Sequence, residues 1–200
     1  LSRSDEMRIA PSHRITALLA LSAYLLHVGE LAEANAHAEE AYQLACRSSH
    51  TYDQAHSLVL IAHSRALLQH PQAESAYRQA LQIYESIPNQ GAAAEAWAGL
   101  AALALQRHDP IDAYHAAKQI MHSIDNGLRI GLNEPFFAYQ TCAYILQILD
   151  DPEAERIQRA ANQMIELYAA TLDDDHARQA FRERVQANHL LRYTSLGAVG

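Results

Sequence analysis

The sequence is short of residues that break helices and of residues that build disulfides or thiolate metal sites. Its 200 residues include only 7 Gly and 6 Pro, and half of all residues are apolar. Ala is frequent, and because Ala loses no side-chain entropy in a helix, this composition favours helix over sheet. The two cysteines lack CxxC spacing, which argues against a disulfide framework or a zinc site. We expect Cys46 and Cys142 to be small buried thiols.

Positive charge is also scarce. The chain has 15 Lys and Arg against 23 Asp and Glu, a formal net charge of −8. Phosphate binding requires clustered positive charge, so nucleic acid is not expected as a direct partner. The apolar run Ile15–Val28 is too short and too interrupted to cross a bilayer, and no signal-peptide pattern is present. These features predict a cytoplasmic protein without a membrane partner. Because residue 1 is Leu, we expect this chain to be a piece of a longer polypeptide.

All six prolines fall where helices are expected to begin or end. Three of them follow a residue suited to a cap or turn: His70–Pro71, Asp109–Pro110 and Asp151–Pro152. Proline is well placed at the first position of a helix, because the N–H that it lacks would have no helical partner there. The prolines therefore divide the chain into helices without interrupting any of them.

Small residues recur in register after these boundaries. The repeated positions are Ala34, Ala73, Ala113 and Ala154, which are 39, 40 and 41 residues apart. A second feature recurs twelve or thirteen residues before each alanine. It is a pair of residues: Leu21-Ser22, Leu60-Ile61, Leu100-Ala101 and Thr141-Cys142. Within a unit, small residues stand four and three apart, as at Ala34, Ala38 and Ala41, and so share a helix face. Each unit is therefore predicted to be two helices that pack closely through small side chains.

The register predicts four helix pairs and a last helix within a single repeat domain over residues 1–200. The predicted helices are 12–28 and 31–47, 51–69 and 71–86, 90–107 and 110–124, 134–149 and 151–171, and finally 174–192. The run of aspartates at 173–175 suits the positive N-terminal end of the last helix. We expect that helix to cap the stack, because a terminal repeat otherwise exposes an apolar face.

The combination of Trp97, Leu100-Ala101, Ala113 and Ala117 resembles the tetratricopeptide repeat. The resemblance covers about residues 12–171 and implies an all-α, right-handed superhelical solenoid of about four antiparallel hairpins. The family's usual unit has thirty-four residues, whereas these units have about forty. Such long repeats resemble the sensor arrays of large bacterial regulators, including ATPase activators of the maltose-regulon type and cyclase-linked repeat proteins. The second unit lacks the turn glycine, and Thr141 replaces a preferred Leu.

In the resembled family, the first helix of each hairpin lines an inner groove that binds a protein or peptide. The partner expected here is a protein or peptide segment, with flanking domains of the same chain and a second copy among the candidates. Transferring that pattern selects Leu19, Leu26, Leu58, Arg65, Glu95, Phe136 and Tyr139 as partner-binding residues. Arg65, Phe136 and Tyr139 are the strongest candidates, because Arg and aromatic residues are favoured in interface cores. The alternative is that these side chains pack between neighbouring repeats. The Lys/Asn clamp for a peptide's terminal carboxylate is absent.

No catalytic motif or cofactor site is predicted. The histidines His56, His63 and His70 recur every seven residues, which is about 10.5 Å along a helix and too far apart for one zinc ion. No phosphate-binding glycine loop and no nucleophile motif occurs. The sequence therefore predicts a non-catalytic interaction or signal-sensing module, without cofactor or metal, within a bacterial transcriptional or signalling regulator. The alternative is a receptor domain for a small ligand or peptide.

Overall fold

The structure, a computed structural model, describes residues 10–87, 92–126 and 135–194. These residues form nine α-helices and no strand, which confirms the predicted all-α class. The chain divides into two compact units, residues 1–87 and residues 88–200. Within each unit, neighbouring helices pack on one another in succession, as a helical repeat would.

The first unit contains four helices. They are α1 (Pro11–Val28), α2 (Leu31–Arg47), α3 (Thr51–Leu67) and α4 (Ala73–Glu85). Helix α2 packs against both α1 and α3, and α3 packs against α1, α2 and α4. As a consequence α3 is buried on every face from Ala55 to Ser64, whereas α1 keeps an exposed face.

The second unit contains the other five helices. They are α5 (Ala93–Gln106), α6 (Pro110–Asp125), α7 (Pro135–Ile148), α8 (Ala154–Ala169) and α9 (Asp175–Thr194). Helix α7 is central, because it packs against α5, α6, α8 and α9. The core of this unit combines alanines of α5 and α6 with larger side chains such as Ile120, Ile145 and Ile157.

Alanines let the helices approach one another closely. On α2, every residue of one stripe is completely buried, namely Ala34, Ala38, Ala41 and Ala45. Short side chains at a helix contact allow the smallest interaxial separations, near 8 Å. In this contact the Ser22 hydroxyl donates a buried hydrogen bond of 2.8 Å to the carbonyl of Ala34. The buried alanine stripe of α2 thus lies where α2 packs against its neighbours in the first unit, and Ala34 lies at the contact with α1.

Side chains accept hydrogen bonds from backbone N–H groups at or just before several helix starts, and at Asp109 the bond is a true helix cap. Asp109 accepts a hydrogen bond from the N–H of Asp112 at 3.1 Å, and Asp151 accepts one from Glu153 at 2.9 Å. The Nδ1 of His70 accepts from the N–H of Gln72 at 3.2 Å. At α9 the cap is Asp174, which accepts from Ala177 at 2.7 Å. The bonds at Asp109 and Asp174 satisfy N–H groups in the first turn of a helix, whereas those at His70 and Asp151 stabilise the turn before the helix.

The same left-handed turn follows five of the helices. A residue with φ between 52° and 88° stands just after each helix end, at Gly29, Ser49, Gln69, His108 and Asp150. In every case the next residue donates its N–H to the carbonyl five residues earlier, at 2.8–3.0 Å. This is the Schellman arrangement that ends a helix with its last carbonyls satisfied. Four of these turns, all except the one at Ser49, follow one another at intervals of about forty residues. They therefore repeat with the alanine register.

The observed helices begin and end close to the predicted positions. The largest differences are at α5, predicted from 90 and observed from Ala93, and at α8, predicted from 151 and observed from Ala154. The sequence predicts that α8 begins at Asp151, whereas in the structure Pro152 and Glu153 form a turn ahead of the helix. Pro88 lies outside the described residues.

Candidate functional site

The predicted partner-binding residues divide between the two units, and most of them are buried. In the first unit Leu19, Leu26 and Leu58 each expose 6% or less of their surface. Arg65 is half-buried and donates a hydrogen bond of 3.0 Å from its guanidinium to Glu39 on α2. These four residues therefore contribute to packing inside the first unit, and their role in binding stays a prediction.

In the second unit the predicted residues are Glu95, Phe136 and Tyr139. Glu95 and Tyr139 are buried, and burial raises the pKa of the Tyr139 phenol. Phe136 is half-buried between two other helices. Its ring makes edge-to-face contacts with Tyr168 of α8 and Phe181 of α9, with centroids 5.2 and 5.6 Å apart. Such contacts hold α9 against the unit, so the burial of these residues favours the packing alternative over an open binding site.

Two histidines of α3 are buried beside tyrosines of the first unit. The Nδ1 of His63 lies 2.7 Å from the phenol oxygen of Tyr77, and the two rings meet edge to face. His56 contacts Tyr52 edge to face, with centroids 6.2 Å apart. Burial lowers the pKa of His56 to about 4, although the nearby Asp53 carboxylate acts in the opposite direction. His56 is therefore neutral at physiological pH.

No three metal-binding side chains come together within the described residues. His70, the third residue of the seven-residue series, is exposed at the turn before α4. On α6, His115 packs edge to face on Trp97 and His122 bonds to Asn126. The histidines thus pack or lie at the surface in separate places.

Asp151 is the centre of a polar cluster in the second unit. Its carboxylate accepts from the Tyr114 hydroxyl at 2.7 Å and lies 3.7 Å from the Lys118 ammonium. The pKa of Asp151 is lowered, first by the N–H of Glu153 and then by Tyr114 and Lys118. These contacts join α6 to the turn before α8. The cluster is an ion pair whose carboxylate also accepts two hydrogen bonds, which suits a structural contact between helices.

The cysteine prediction is only half right. Cys142 is completely buried, and its thiol donates to the carbonyl of Ala117 at 3.4 Å. Burial raises its pKa to about 12. Cys46, however, is exposed. It follows Ala45 by one position and so lies off the buried alanine stripe of α2, which places its side chain toward solvent.

Sequence reasoning missed an exposed apolar face on α1. Leu21, Tyr24 and Val28 expose 41%, 59% and 46% of their surfaces, and Ala17 is exposed on the same face. We call these four residues the α1 stripe. The buried residues Ile15 and Leu19 lie on the other side of the helix. The available signal is that the middle of α1, from Ala17 to Leu26, has Ser22 as its only strongly polar side chain besides the Tyr24 hydroxyl, although a helix that packs on one side normally has a polar opposite face.

None of the helices within residues 10–87, 92–126 and 135–194 has the length and apolar character needed to span a membrane. Comparison with protein-family models, with curated proteins and with solved structures finds no match to this chain.

Proposed function

We propose that this chain is a non-catalytic, tetratricopeptide-like interaction module of a cytoplasmic bacterial regulator, and that it binds a helical segment of a protein. The observation that carries the proposal is the α1 stripe, a row of apolar side chains exposed on a helix whose other side is well packed. Contiguous exposed apolar residues are unusual on a surface that meets only water, and they are typical of binding surfaces.

A helix is the partner that this surface suits best. The four residues of the α1 stripe recur at intervals of four, three and four, the heptad-like spacing that places them in one row along α1. A row with this spacing packs against another helix. A small polar ligand would instead require several converging polar groups, and the stripe offers only the Tyr24 hydroxyl.

The regulator context rests on the sequence resemblance alone. Repeats of about forty residues and the resemblance to sensor arrays support it. The complete reading frame tests this part directly, because an ATPase, cyclase or DNA-binding domain on the same polypeptide would support it. A reading frame that encodes only a secreted enzyme would contradict it.

The binding function is tested by selecting peptides from a display library that contains both helical and extended sequences. Selection uses the full chain at about 1 μM, and hydrogen-exchange mass spectrometry then locates the bound peptide. We expect helical peptides that protect α1. The paired variants are Tyr24→Lys, which should abolish binding, and Ile111→Lys, which changes an exposed apolar residue of α6 outside the stripe and should not.

A thermal-shift screen with metals, nucleotides and small metabolites separates the competing functions. A saturable rise in melting temperature with a metabolite, together with failure to select any peptide, would favour the small-ligand receptor. Turnover of any added compound would overturn the non-catalytic assignment.

A further inference from the structure

Helix α9 is attached to the second unit by an aromatic contact and an ion pair, side by side. The Phe181 ring meets Phe136 of α7 edge to face, with centroids 5.6 Å apart. The next residue, Arg182, donates two hydrogen bonds of 2.8 and 2.7 Å to the carboxylate of Glu166 on α8. Tyr168 of α8 completes the aromatic group, with its ring centroid 5.2 Å from that of Phe136. We call Phe136, Glu166 and Tyr168 the α9 docking surface.

The attachment of α9 is shallow. Among the side chains of α9 that the structure describes, at positions 175–183 and 185, none is buried, whereas each of the helices α1–α8 has at least three buried residues. The side chains of Arg182 and Glu166 are 37% and 59% exposed. The hydrogen bonds from Arg182 lower the pKa of the Glu166 carboxyl, so the pair is ionised at neutral pH. An ion pair this exposed is screened by water and salt and holds a helix only weakly.

The core of the second unit forms without α9. The cluster of buried core residues runs from Ala94 on α5 to Ala161 on α8 and includes no residue of α9 that the structure describes. The partly buried side chains that pack against this core also belong to α5–α8. Release of α9 would therefore uncover the rings of the α9 docking surface and leave the core closed.

Helix α9 also carries its own stabilising contacts. Asp174 caps its first turn by accepting a hydrogen bond of 2.7 Å from the N–H of Ala177. Arg178 pairs with Asp175 within the same helix, and Gln179 donates to Glu183 at 2.7 Å. Since these contacts join residues of the same segment, they persist when α9 leaves the docking surface. Undocking thus costs the contacts of Phe181 and Arg182 without stripping the helix start of its cap.

We propose that α9 is an intramolecular ligand of the α9 docking surface, which it leaves and rejoins while α5–α8 stay folded, and that a partner helix with an aromatic residue followed by arginine binds there in its place. The sequence predicts Phe136 to bind a partner, and in the structure α9 covers that ring. This site is independent of the α1 stripe, which lies in the first unit.

The chemistry of the partner follows from what α9 presents. Adjacent residues of a helix project about 100° apart, so one pair of neighbours can reach two helices at once. Phe181 thereby reaches α7 while Arg182 reaches α8. The planar guanidinium grips both carboxylate oxygens of Glu166, which a lysine ammonium cannot do in the same way. A competing helix therefore needs both side chains in this order.

Helix α9 has the advantage of belonging to the same chain. A short turn joins it to α8, and a short connection gives an effective concentration on the order of millimolar. An added helix binds only the undocked fraction, so its apparent Kd is the intrinsic Kd divided by that fraction. Substitutions on α9 that favour undocking should consequently tighten the binding of an added helix, although they change nothing on the α9 docking surface.

The competition is tested with a fluorescent peptide of residues 173–194, titrated with the full chain and followed by anisotropy. The chain with Phe181→Ala and Arg182→Glu has released its own α9 and should bind this peptide at least tenfold more tightly than the wild type. A peptide that carries the same two substitutions should bind neither chain. Arg78→Glu, the same charge change at an exposed residue of α4 paired within its own helix, should behave as the wild type.

Hydrogen-exchange mass spectrometry of the full chain tests undocking itself. Amides of α9 should exchange at least tenfold faster than those of α7, yet more slowly than in an unfolded segment, because α9 opens locally. Arg182→Glu should speed the exchange of α9 roughly fivefold and leave α7 unchanged, since it replaces an ion pair with repulsion. Adding Glu166→Arg reverses the pair and should restore the protection. Exchange of α9 and α7 at one common rate, or no protection of α9 at all, overturns the proposal.

Failure of this inference differs from failure of the proposed function. If the peptide binds the wild type and the released variant equally, it does not use the α9 docking surface and the inference is wrong. If Tyr24→Lys then abolishes that binding, the peptide occupies the α1 stripe and the interaction module stands. Tighter binding by the released variant that Tyr24→Lys leaves unchanged supports the α9 docking surface as a separate site.

Discussion

The phenol oxygen of Tyr77 on α4 lies 2.7 Å from Nδ1 of His63 on α3, and both side chains are almost completely buried. This bond joins two helices through groups that cannot reach bulk water. We expect Tyr77→Phe to lower the free energy of unfolding by about 1–2 kcal/mol, because the imidazole loses its phenol partner inside the unit. Urea unfolding checks this. Tyr24→Phe, at an exposed phenol, should change the stability by less than about 0.5 kcal/mol.

His56 should make the chain sensitive to acid. Its pKa is about 4 in the folded protein, compared with 6.5 for an exposed imidazole, because burial disfavours the charged form. Between these values the unfolded chain binds a proton that the folded chain does not. The stability contributed by neutral His56 is therefore complete above pH 6.5 and is lost as the pH falls to 4, by about 3 kcal/mol in total.

The comparison of His56→Gln with the wild type isolates this effect from the other titrating groups. Between pH 7.5 and 4.5, the free energy of unfolding should fall by about 2 kcal/mol less in His56→Gln than in the wild type. Parallel losses in the wild type and His56→Gln would mean that His56 is not held neutral in the folded chain.

Much of the helical architecture was predictable because its signals are local. Prolines and capping residues mark helix starts through one missing or one satisfied N–H, and Ala at positions such as 34 and 73 marks close helix contacts. Of the left-handed turns, only the one at Gly29 is marked in the sequence by a glycine. Four other residues, Ser49, Gln69, His108 and Asp150, adopt the same conformation without glycine, because the hydrogen bonds of the turn and the packing of the flanking helices impose it.

The candidate site was less predictable, because exposure depends on which helix covers which face. Leu19 and Leu58 were selected by their position in a repeat, yet both are buried. Tyr24 is not among the predicted residues. It is more exposed than either leucine, because no helix within the described residues covers that side of α1. Periodicity gives the face on which a residue lies, whereas burial depends on the tertiary contacts of that face.

The left-handed turns offer a direct route to a more stable chain. Gln69 and Asp150 are exposed residues with φ of 55° and 52°, a conformation that is strained for residues with a Cβ. We expect Gln69→Gly and Asp150→Gly each to raise the free energy of unfolding by about 0.5–1 kcal/mol. Gly29→Ala should lower it by about 1 kcal/mol through backbone strain alone, since no atom lies within 4 Å of the added Cβ. Thermal melts of the three variants check that the two substitutions to glycine stabilise the chain and that Gly29→Ala destabilises it. If both substitutions to glycine destabilised the chain, the strain argument would be wrong.

The two thiols should differ sharply in reactivity, because only the thiolate attacks a disulfide reagent. Cys46 is exposed, whereas Cys142 is completely buried and its pKa is raised to about 12. At pH 8 an aromatic disulfide reagent should therefore modify one thiol per folded chain and a second only after denaturation. Cys46→Ser should remove the fast reaction, and Cys142→Ser should leave it intact. Rapid modification of two thiols in the folded wild type would show that α7 opens readily enough to expose Cys142.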